Sequence, residues 1–303
     1  MKISIFRKCR DLLLAVNSIK TPLLEIDELH KIGIQAIKTE MNSNEQLNFQ
    51  PCFFQPLDSS ALSKYPLLPG CRTYDIDEGL TYESCLGAVL EENPNEKHPE
   101  EKALKALDKA HESIREWGPW LGCDLRRLDD HITSHLECHR AGIPEGKALE
   151  DLTPLRPIGT YCGRPPNALF LLENDVPGII NWQIVRNLAH RSAEFPHTIG
   201  FFWNEIDAND QTLTLGELRG ILRWTVSMYY RPGFGRHLSY PLLSIWYMGP
   251  KHGRIIQSHH DGQKMILQYS SLMSFEDIDK APTSLFVRYG ASSPVGTSVV
   301  PTV

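Results

Sequence analysis

The sequence predicts an α+β protein in which a helical N-terminal half packs on a C-terminal antiparallel sheet with two further helices. Two patterns predict this class: apolar residues recur with a helical period before Gly142, whereas short apolar runs between turn residues follow Tyr240. Strands and helices do not alternate regularly, which argues against a doubly wound sheet or a barrel. We expect a mainly helical region over 1–150 and a mixed region over 151–303, either as two domains or as one continuous domain.

The composition is that of a folded protein with a large core, because 41% of the 303 residues are hydrophobic and 22% are charged. The net charge of -6 and the lack of a dense run of lysines and arginines argue against a nucleic-acid partner. The cysteines are odd in number, scattered, and form no Cys-x-x-Cys pair, which is typical of reduced intracellular thiols. No apolar stretch has the length of a membrane span.

The N-terminal segment is cationic and ends in a short apolar run, so a targeting peptide has to be weighed against a helix of the fold. Helical period favours the helix, and its apolar members are Ile5, Cys9, Leu12, Leu13 and Val16. We therefore expect a cytoplasmic protein, with a mitochondrial location as the alternative. Prolines and glycines then punctuate the segment 51–95, which we expect to wrap the core in extended pieces.

Two helices are predicted after this segment, and we expect them to pair antiparallel through a short turn. The first has the apolar stripe Ala103, Leu107, Ala110, Ile114 and Trp117, and it stops at a Gly-Pro pair. The second spans Asp124 to Ala141, with Leu125, Leu128, Ile132 and Leu136 facing inward.

The mixed half is predicted to begin with a strand over Ala168 to Glu173, a helix over Pro177 to Glu194 and a strand over His197 to Asn204. Thr214 and Glu217 then have the spacing of a capping box, in which each side chain accepts a hydrogen bond from the other residue's backbone amide. This pattern predicts a helix over Leu215 to Tyr230.

The last third is predicted to be β. Leu242 to Met248 is one apolar run, and Arg254 to His260 and Gln263 to Tyr269 flank an Asp-Gly pair at residues 261–262. Asp-Gly tolerates the positive φ angles of a type I′ turn, so the two runs predict a tight hairpin. Ser284 to Tyr289 is expected to add a fourth strand.

Residues 247–255, Tyr-Met-Gly-Pro-Lys-His-Gly-Arg-Ile, and the His-Asp-Gly at 260–262 resemble stretches in uncharacterised proteins of filamentous fungi. The resemblance covers the final third to half of the chain. It implies a shared lineage, and it implies no activity and no site residue, because the matching residues are those of turns and strands.

Histidines recur every fourth residue on the second predicted helix, at His131, His135 and His139. If the protein has acid–base chemistry, we expect His135 or His139 to be the base and Asp130 or Glu137 to orient it, because a carboxylate fixes the imidazole tautomer. The competing interpretation is that these histidines are half-buried and hydrogen-bonded to acids of the preceding helix, such as Glu112 or Glu116.

The same stripe could hold a metal ion, since imidazoles four residues apart lie on one helix face. The rise along three such residues is too large for one zinc, so one pair at most, His131 with His135, would need a distant Asp, Glu or Cys to complete the site. We expect no cofactor, with a single divalent metal as the alternative. Residues 129–133, Asp-Asp-His-Ile-Thr, partly resemble the aspartate-rich Mg²⁺–diphosphate motif of class I terpene cyclases, but Thr133 stands where the final acid belongs.

The sequence leaves two functions open. The slightly favoured one is a non-catalytic interaction or structural protein, in which the aromatic residues and histidines serve packing. The alternative is an accessory enzyme of the isomerase or cyclase type, of the kind used in fungal specialised metabolism. It would bind an apolar small molecule in an aromatic pocket between the two halves. Catalysis would use a helix-borne histidine as general acid or base, or a metal bound by a histidine pair. The phosphate-loop, nucleophile-elbow and dinucleotide motifs are absent from the sequence.

Overall fold

The computed structural model describes residues 2–71, 73–74, 82–106, 123–158, 182–190, 194–230, 237–249 and 251–298. The helices are α1 (Lys2–Asn17), α2 (Ile26–Lys31), α3 (Ala61–Lys64), α4 (Tyr82–Glu92), α5 (residues 99–106), α6 (Cys123–Glu137), α7 (Leu215–Met228) and α8 (Thr283–Gly290), with a 3-10 turn at Leu149–Leu152. The strands are β1 (Leu23–Glu25), β2 (Ile34–Lys38), β3 (Phe54–Gln55), β4 (Leu155–Pro157), β5 (Trp182–His190), β6 (Thr198–Asp207), β7 (Thr212–Thr214), β8 (Leu242–Gly249), β9 (His252–His260), β10 (Met265–Tyr269), β11 (Met273–Ser274) and β12 (Ser293–Pro294).

The protein is built on one large mixed sheet, which corrects the prediction of a purely antiparallel one. Its strand order is β2-β10-β9-β8-β6-β5-β4, and β11 pairs with β9. Strands β6 and β8 are parallel because α7 lies between them in the chain and carries it back across the sheet. Strand β2 is parallel to β10 and comes from the N-terminal half, so that half contributes a strand as well as helices.

Hydrophobic residues cover both faces of this sheet, which gives three layers. Helices α1 and α7 lie on one face, the α1/α7 face, with sheet residues such as Phe202, Trp246 and Ile256. Helices α6 and α8 lie on the other, the α6/α8 face, with sheet residues such as Phe201 and Ile245. The α1/α7 face is tightly packed, since a Cβ on Gly220 of α7 would lie 2.7 Å from the Trp246 ring.

Two predicted elements were wrong. Residues 182–190 of the predicted helix Pro177 to Glu194 form strand β5, which pairs with β6 and β4 and is covered on both faces. Ser284 to Tyr289, predicted as a strand, lies in helix α8, whose residues Leu285–Gly290 are all buried. The first segment mixes apolar residues with polar ones such as Arg186 and Asn187, and the second is only six residues long. Residue periodicity therefore does not separate a strand from a helix in either segment, and tertiary packing decides the outcome.

The capping-box helix is confirmed as α7, where the Glu217 amide donates to Thr214 Oγ1 at 3.0 Å and the Thr214 amide donates to Glu217 Oε2 at 2.7 Å. The hairpin of β9 and β10 is also confirmed. Its turn differs from the prediction, because the loop spans residues 261–264 and only Gly262 within it has a positive φ, of 101°. The Asp261 side chain instead accepts hydrogen bonds from the amides of Gln263 and Lys264.

The first helix and the histidine-bearing helix are confirmed as α1 and α6. Helix α1 buries Ile5, Cys9, Leu13 and Val16. Helix α6 buries its four predicted apolar residues but ends at Glu137, four positions before the predicted Ala141. Residues 99–106 are helical as predicted, whereas the rest of that stripe, the turn after it and the predicted strand Ala168 to Glu173 lie outside the described residues.

Among the described residues, no helix combines the length and apolar character needed to cross a bilayer. The division near residue 150 stays a prediction. Both hydrophobic clusters draw residues from either side of it, for example Leu13 with Leu222, and Leu128 with Phe286.

Candidate functional site: a buried polar cluster under helix α6

Five charged or polar side chains meet where α6 covers the sheet, and we call them the α6 cluster: Asp129, Glu137, Glu150, Arg186 and Tyr247. Arg186 of β5 is the central cation, with 8% of its side chain exposed. Its Nη2 lies 2.9 Å from Glu137 Oε1 of α6 and also pairs with Glu150 Oε2 of the 3-10 turn. The guanidinium carbon lies 5.8 Å from the centre of the Phe201 ring, so Arg186 is held from the sheet side as well.

The periodicity of α6 places Asp129 in this cluster. Leu125, Leu128 and Ile132 face the sheet, and Asp129 lies within one turn of all three, at the border of their stripe. The helix therefore carries a carboxylate inward together with its apolar residues. Thr133, one turn further on, faces the Asp129 carboxyl without the geometry of a formed hydrogen bond.

A β-bulge places Arg186 in the cluster. Ile184 pairs with Phe202 and Arg186 pairs with Phe201, so Val185 is the extra residue in β5. The bulge shifts the alternation of side chains by one residue, and Arg186 therefore points to the α6/α8 face. Tyr247 reaches the same face by simple alternation along β8, next to its pairing partner Trp203 on β6.

Besides Thr133 Oγ1, four polar atoms of this region are buried and have no hydrogen-bond partner among the described residues. They are Asp129 Oδ1, Arg186 Nη1, Trp203 Nε1 and Tyr247 Oη. Each buried polar atom left without a partner costs on the order of 1–3 kcal/mol. Several such atoms on four different elements, within one small region, are the feature that makes this cluster a candidate binding site.

Burial sets the protonation states of the cluster. It raises the pKa of Asp129 to about 7, and the neighbouring charge of Asp130 adds to this while Arg186 opposes it. Burial, and then the charge of Asp129, raise the pKa of Tyr247 well above its usual range, so the phenol keeps its proton. Near neutral pH the site therefore holds a carboxyl group that exchanges its proton readily, beside a neutral phenol.

His131 is held by hydrogen bonds at both ring nitrogens. Nδ1 lies 2.6 Å from the carbonyl oxygen of Tyr74, and Nε2 lies 2.9 Å from Thr283 Oγ1. His135 lies beside it, with ring centres 5.0 Å apart, and its Nδ1 is 3.1 Å from Arg140 Nη2. Burial, and then the charges of His131 and Arg140, lower the pKa of His135 to about 4. Both rings thus lie on the flank of α6 opposite the cluster, where His131 holds the segment around Tyr74 and the start of α8 and His135 contacts Arg140.

The other residues proposed from the sequence are spread apart. His139 is exposed and lies beyond the end of α6, so it does not continue the helical stripe. Asp130 is half-buried, and its carboxylate lies 3.6 Å from Arg126 Nε. Glu137 belongs to the α6 cluster through Arg186. Among the described residues, neither Asp130 nor Glu137 hydrogen-bonds His135 or His139.

The metal pair His131 and His135 has no further ligand nearby in the described ranges. Within them, no three histidine, cysteine, aspartate or glutamate side chains come together in a way that could hold a metal ion. Glu112 and Glu116, the expected hydrogen-bond partners of the histidines, lie outside the described residues.

Sequence reasoning missed Arg186, Glu150 and Tyr247, and it weighed Asp129 only as part of a metal motif. Arg186 was missed because its segment was predicted to be a helix, and Tyr247 because it lies within an apolar run. One signal was available for Asp129: an acidic residue at the edge of an otherwise apolar helical stripe indicates a buried carboxyl group.

A second buried arginine–glutamate cluster lies on the α1/α7 face. Glu217 and Arg254 are both 0% exposed, and Arg254 Nη1 lies 3.2 Å from Glu217 Oε1. Arg254 also donates to the carbonyl oxygens of Thr212 and Asn209, and its guanidinium carbon lies 5.5 Å from the centre of the Tyr269 ring. Together with the α7 cap, these bonds fix the loop between β6 and α7.

Comparison of the chain with models of protein families, with curated proteins and with solved structures found no match to any of the three.

Proposed function

We propose that the protein binds a small molecule at the α6 cluster and that Asp129 is the group that exchanges a proton with it. This keeps the small-molecule alternative of the sequence analysis and moves its acid–base group from the histidines to the other flank of α6. The observation that carries the proposal is the set of four unpartnered buried atoms on α6, β5, β6 and β8. A ligand with polar groups would give these atoms the partners that the described residues do not supply.

The protonation state of Asp129 supports the acid–base part. A catalytic acid or base works best when its pKa lies near the pH of its surroundings, and burial raises the pKa of Asp129 to about 7. Burial has the opposite effect on His135, whose pKa is lowered to about 4, so its ring is neutral and a weak base at neutral pH. Asp129 is therefore the better candidate of the two.

The non-catalytic interaction or structural role is the competing proposal. In that case the α6 cluster would only tie α6 to the sheet, through the bonds of Arg186 to Glu137 and Glu150. Such a tie makes no use of Arg186 Nη1, Trp203 Nε1 and Tyr247 Oη, which have no partner within the described ranges, and this difference decides our preference.

The test is a titration of the purified protein with cyclohexanone, cyclohexanol, cyclohexylamine and cyclohexanecarboxylate, which are rings of similar size with different polar groups. The reporter is the indole N–H signal of Trp203 in the NMR spectrum, assigned with the variant Trp203→Phe. We expect at least one probe to shift this signal with saturation.

Trp246 provides the internal control. Its Nε1 is also buried without a partner among the described residues, but it lies on the opposite face, where its ring stacks on Phe202 at 4.3 Å between centres. The Trp246 signal should stay in place while the Trp203 signal moves. If no probe moves the Trp203 signal, or if both signals move together, the proposed site is wrong and the structural role is favoured.

A further inference from the structure

We infer that the ligand of the α6 cluster is an uncharged molecule that presents a carbonyl oxygen to the phenol of Tyr247 and the carboxyl group of Asp129. This inference rests on the proposed function and names the class of ligand. It follows from the kinds of atom that lack a partner, from the charge already present in the cluster, and from the protonation of its two neutral groups.

The unpartnered atoms are mostly donors. Arg186 Nη1 and Trp203 Nε1 can only donate, and the protonated Tyr247 hydroxyl has a proton to give. A ligand suited to this region must therefore bring an acceptor, and a carbonyl oxygen has two lone pairs, enough for the Tyr247 hydroxyl and one further donor. An ammonium group has no acceptor and would leave all three donors unpaired.

The charge of the cluster excludes an anion as the preferred ligand. Arg186 is the cation of the cluster, and it already forms ion pairs with the carboxylates of Glu137 and Glu150. A carboxylate or phosphate would place a further negative charge beside these two groups, which is unfavourable because Glu150, at 15% exposure, is largely shielded from solvent. A neutral carbonyl compound avoids this repulsion and keeps the acceptor.

Asp129 and Tyr247 are placed to act on such an oxygen together. Helix α6, which carries Asp129, packs directly on β8, which carries Tyr247, and Asp129 Oδ1 and Tyr247 Oη are both buried without a partner among the described residues. When Asp129 is protonated, both are neutral O–H donors in a buried setting. Donors of this kind polarise a carbonyl group and stabilise negative charge that develops on its oxygen.

The experiment uses the same ring probes, and it adds the carbonyl stretching band of cyclohexanone in the infrared spectrum. We expect cyclohexanone to shift the Trp203 N–H signal with the highest affinity of the set, and its carbonyl band to move to lower wavenumber on binding. Tyr247→Phe should weaken the affinity about tenfold, since one hydrogen bond is lost. Tyr240→Phe, the same deletion in the core of the α1/α7 face, is the matched control and should leave the affinity unchanged.

A second variant tests the carboxyl group. In the parent protein the affinity for cyclohexanone should fall as the pH rises through about 7, because Asp129 then loses the proton that it donates. Asp129→Asn keeps an N–H donor at every pH, so its affinity should not change across this range. This readout separates a direct hydrogen bond from a general effect on folding.

The outcomes separate this inference from the proposed function. If cyclohexylamine or cyclohexanecarboxylate moves the Trp203 signal and cyclohexanone does not, the site stands and the carbonyl class is wrong. The carbonyl class is also wrong if cyclohexanone binds with an unmoved carbonyl band, or if Tyr247→Phe leaves its affinity unchanged and Asp129→Asn keeps the pH dependence of the parent protein. If none of the probes moves the signal, both proposals fail.

Discussion

Each face of the sheet carries an arginine–glutamate cluster with a buried arginine, and the two clusters differ in how completely their buried polar atoms are hydrogen-bonded. On the α1/α7 face, both oxygens of Glu217 are hydrogen-bonded, and Arg254 reaches two backbone carbonyl oxygens as well. On the α6/α8 face, Arg186 leaves one terminal nitrogen without a partner among the described residues, and Asp129 and Tyr247 have unpartnered oxygens beside it. Arg254 also leaves one nitrogen, Nε, without a partner among the described residues, so the two clusters differ in their acid groups: both oxygens of Glu217 are paired, whereas Asp129 Oδ1 is not.

This difference teaches how to separate structural from functional burial of charge. Burying an ion pair is costly unless further hydrogen bonds satisfy each remaining donor and acceptor, and the Glu217–Arg254 pair largely meets that condition. A cluster that does not meet it lowers stability, and such a loss is typical of sites that a ligand completes. The two clusters should therefore respond to the loss of a carboxylate charge with opposite signs.

The largest effect is expected for Glu217→Gln on the α1/α7 face. The amide keeps an oxygen for the Thr214 amide but leaves Arg254 as a buried charge without its counterion, which should cost about 3–5 kcal/mol of unfolding free energy. Glu28→Gln is the matched control, because Glu28 has the same capping position on α2 but is exposed. Urea unfolding of both variants measures the difference. A loss at Glu217 no larger than at Glu28 would contradict the structural role of the pair.

The second effect is expected on the α6/α8 face, with the opposite sign. The folded-state pKa of Asp129, about 7, lies above its unfolded value. Protonation of Asp129 therefore contributes fully to the unfolding free energy below the unfolded pKa, and this contribution is lost as the pH rises through 7. Asp129→Asn removes this loss. We expect the variant to become more stable than the parent by on the order of 2–4 kcal/mol above pH 7, and the gain to shrink toward pH 4.

Unfolding free energies of the two proteins at pH 4.5 and pH 8 measure this prediction, with Asp58→Asn as the control at an exposed carboxylate. A constant difference between Asp129→Asn and its parent at both pH values would mean that the Asp129 carboxyl does not titrate near 7. Destabilisation of the variant at pH 8 would assign this carboxylate a structural role like that of Glu217.

The smallest effect on stability is expected for His197, a buried histidine outside the α6 cluster. Burial lowers the pKa of His197 to about 4, below its unfolded value, although a hydrogen bond to the carbonyl oxygen of Val295 opposes the shift. On acidification His197 is protonated in the unfolded chain before it is protonated in the folded protein. The unfolding free energy is therefore unaffected by this residue above about pH 6.5 and falls as the pH drops toward 4.

His197→Gln should therefore lose less stability on acidification than the parent does. Between pH 6.5 and pH 5 we expect the difference to be about 2 kcal/mol, measured by urea unfolding. His30→Gln, which changes an exposed histidine of α2, should lose as much unfolding free energy between these pH values as the parent protein does. An acid response of His197→Gln equal to that of the parent would show that His197 already carries its proton in the folded state.

The sequence predicted those elements in which local signals and burial agree. Helix α7 was predicted from the Thr214–Glu217 cap, and the hairpin of β9 and β10 from two apolar runs around Asp-Gly, because such signals act over a few residues. The predictions for the segments of β5 and α8 were wrong, since the mixed sequence of the first and the short sequence of the second fit either structure and only the surrounding layers decide between them. The parallel pairing of β6 with β8 depends on long-range topology that no local pattern encodes.

The candidate site was less predictable than the fold, for a physical reason. The histidines on α6 stood out by their spacing, yet His131 is held by backbone and side-chain hydrogen bonds on the flank away from the cluster. The α6 cluster instead joins residues from α6, the 3-10 turn, β5 and β8, and its key residue Arg186 faces α6 because of a bulge in β5. A site assembled from separate segments has no spacing to read along the chain.

The pairing of β2 with β10 bears on how the chain folds as it is synthesised. Ile34 pairs with Met265, so the partner of this early strand leaves the ribosome only after most of the polypeptide has been made. Until then the edge of β2 has unsatisfied amides and carbonyls that can join other nascent strands. Completion of the sheet is therefore a late event, and we expect chaperones that shield nascent strands to raise the yield of folded protein.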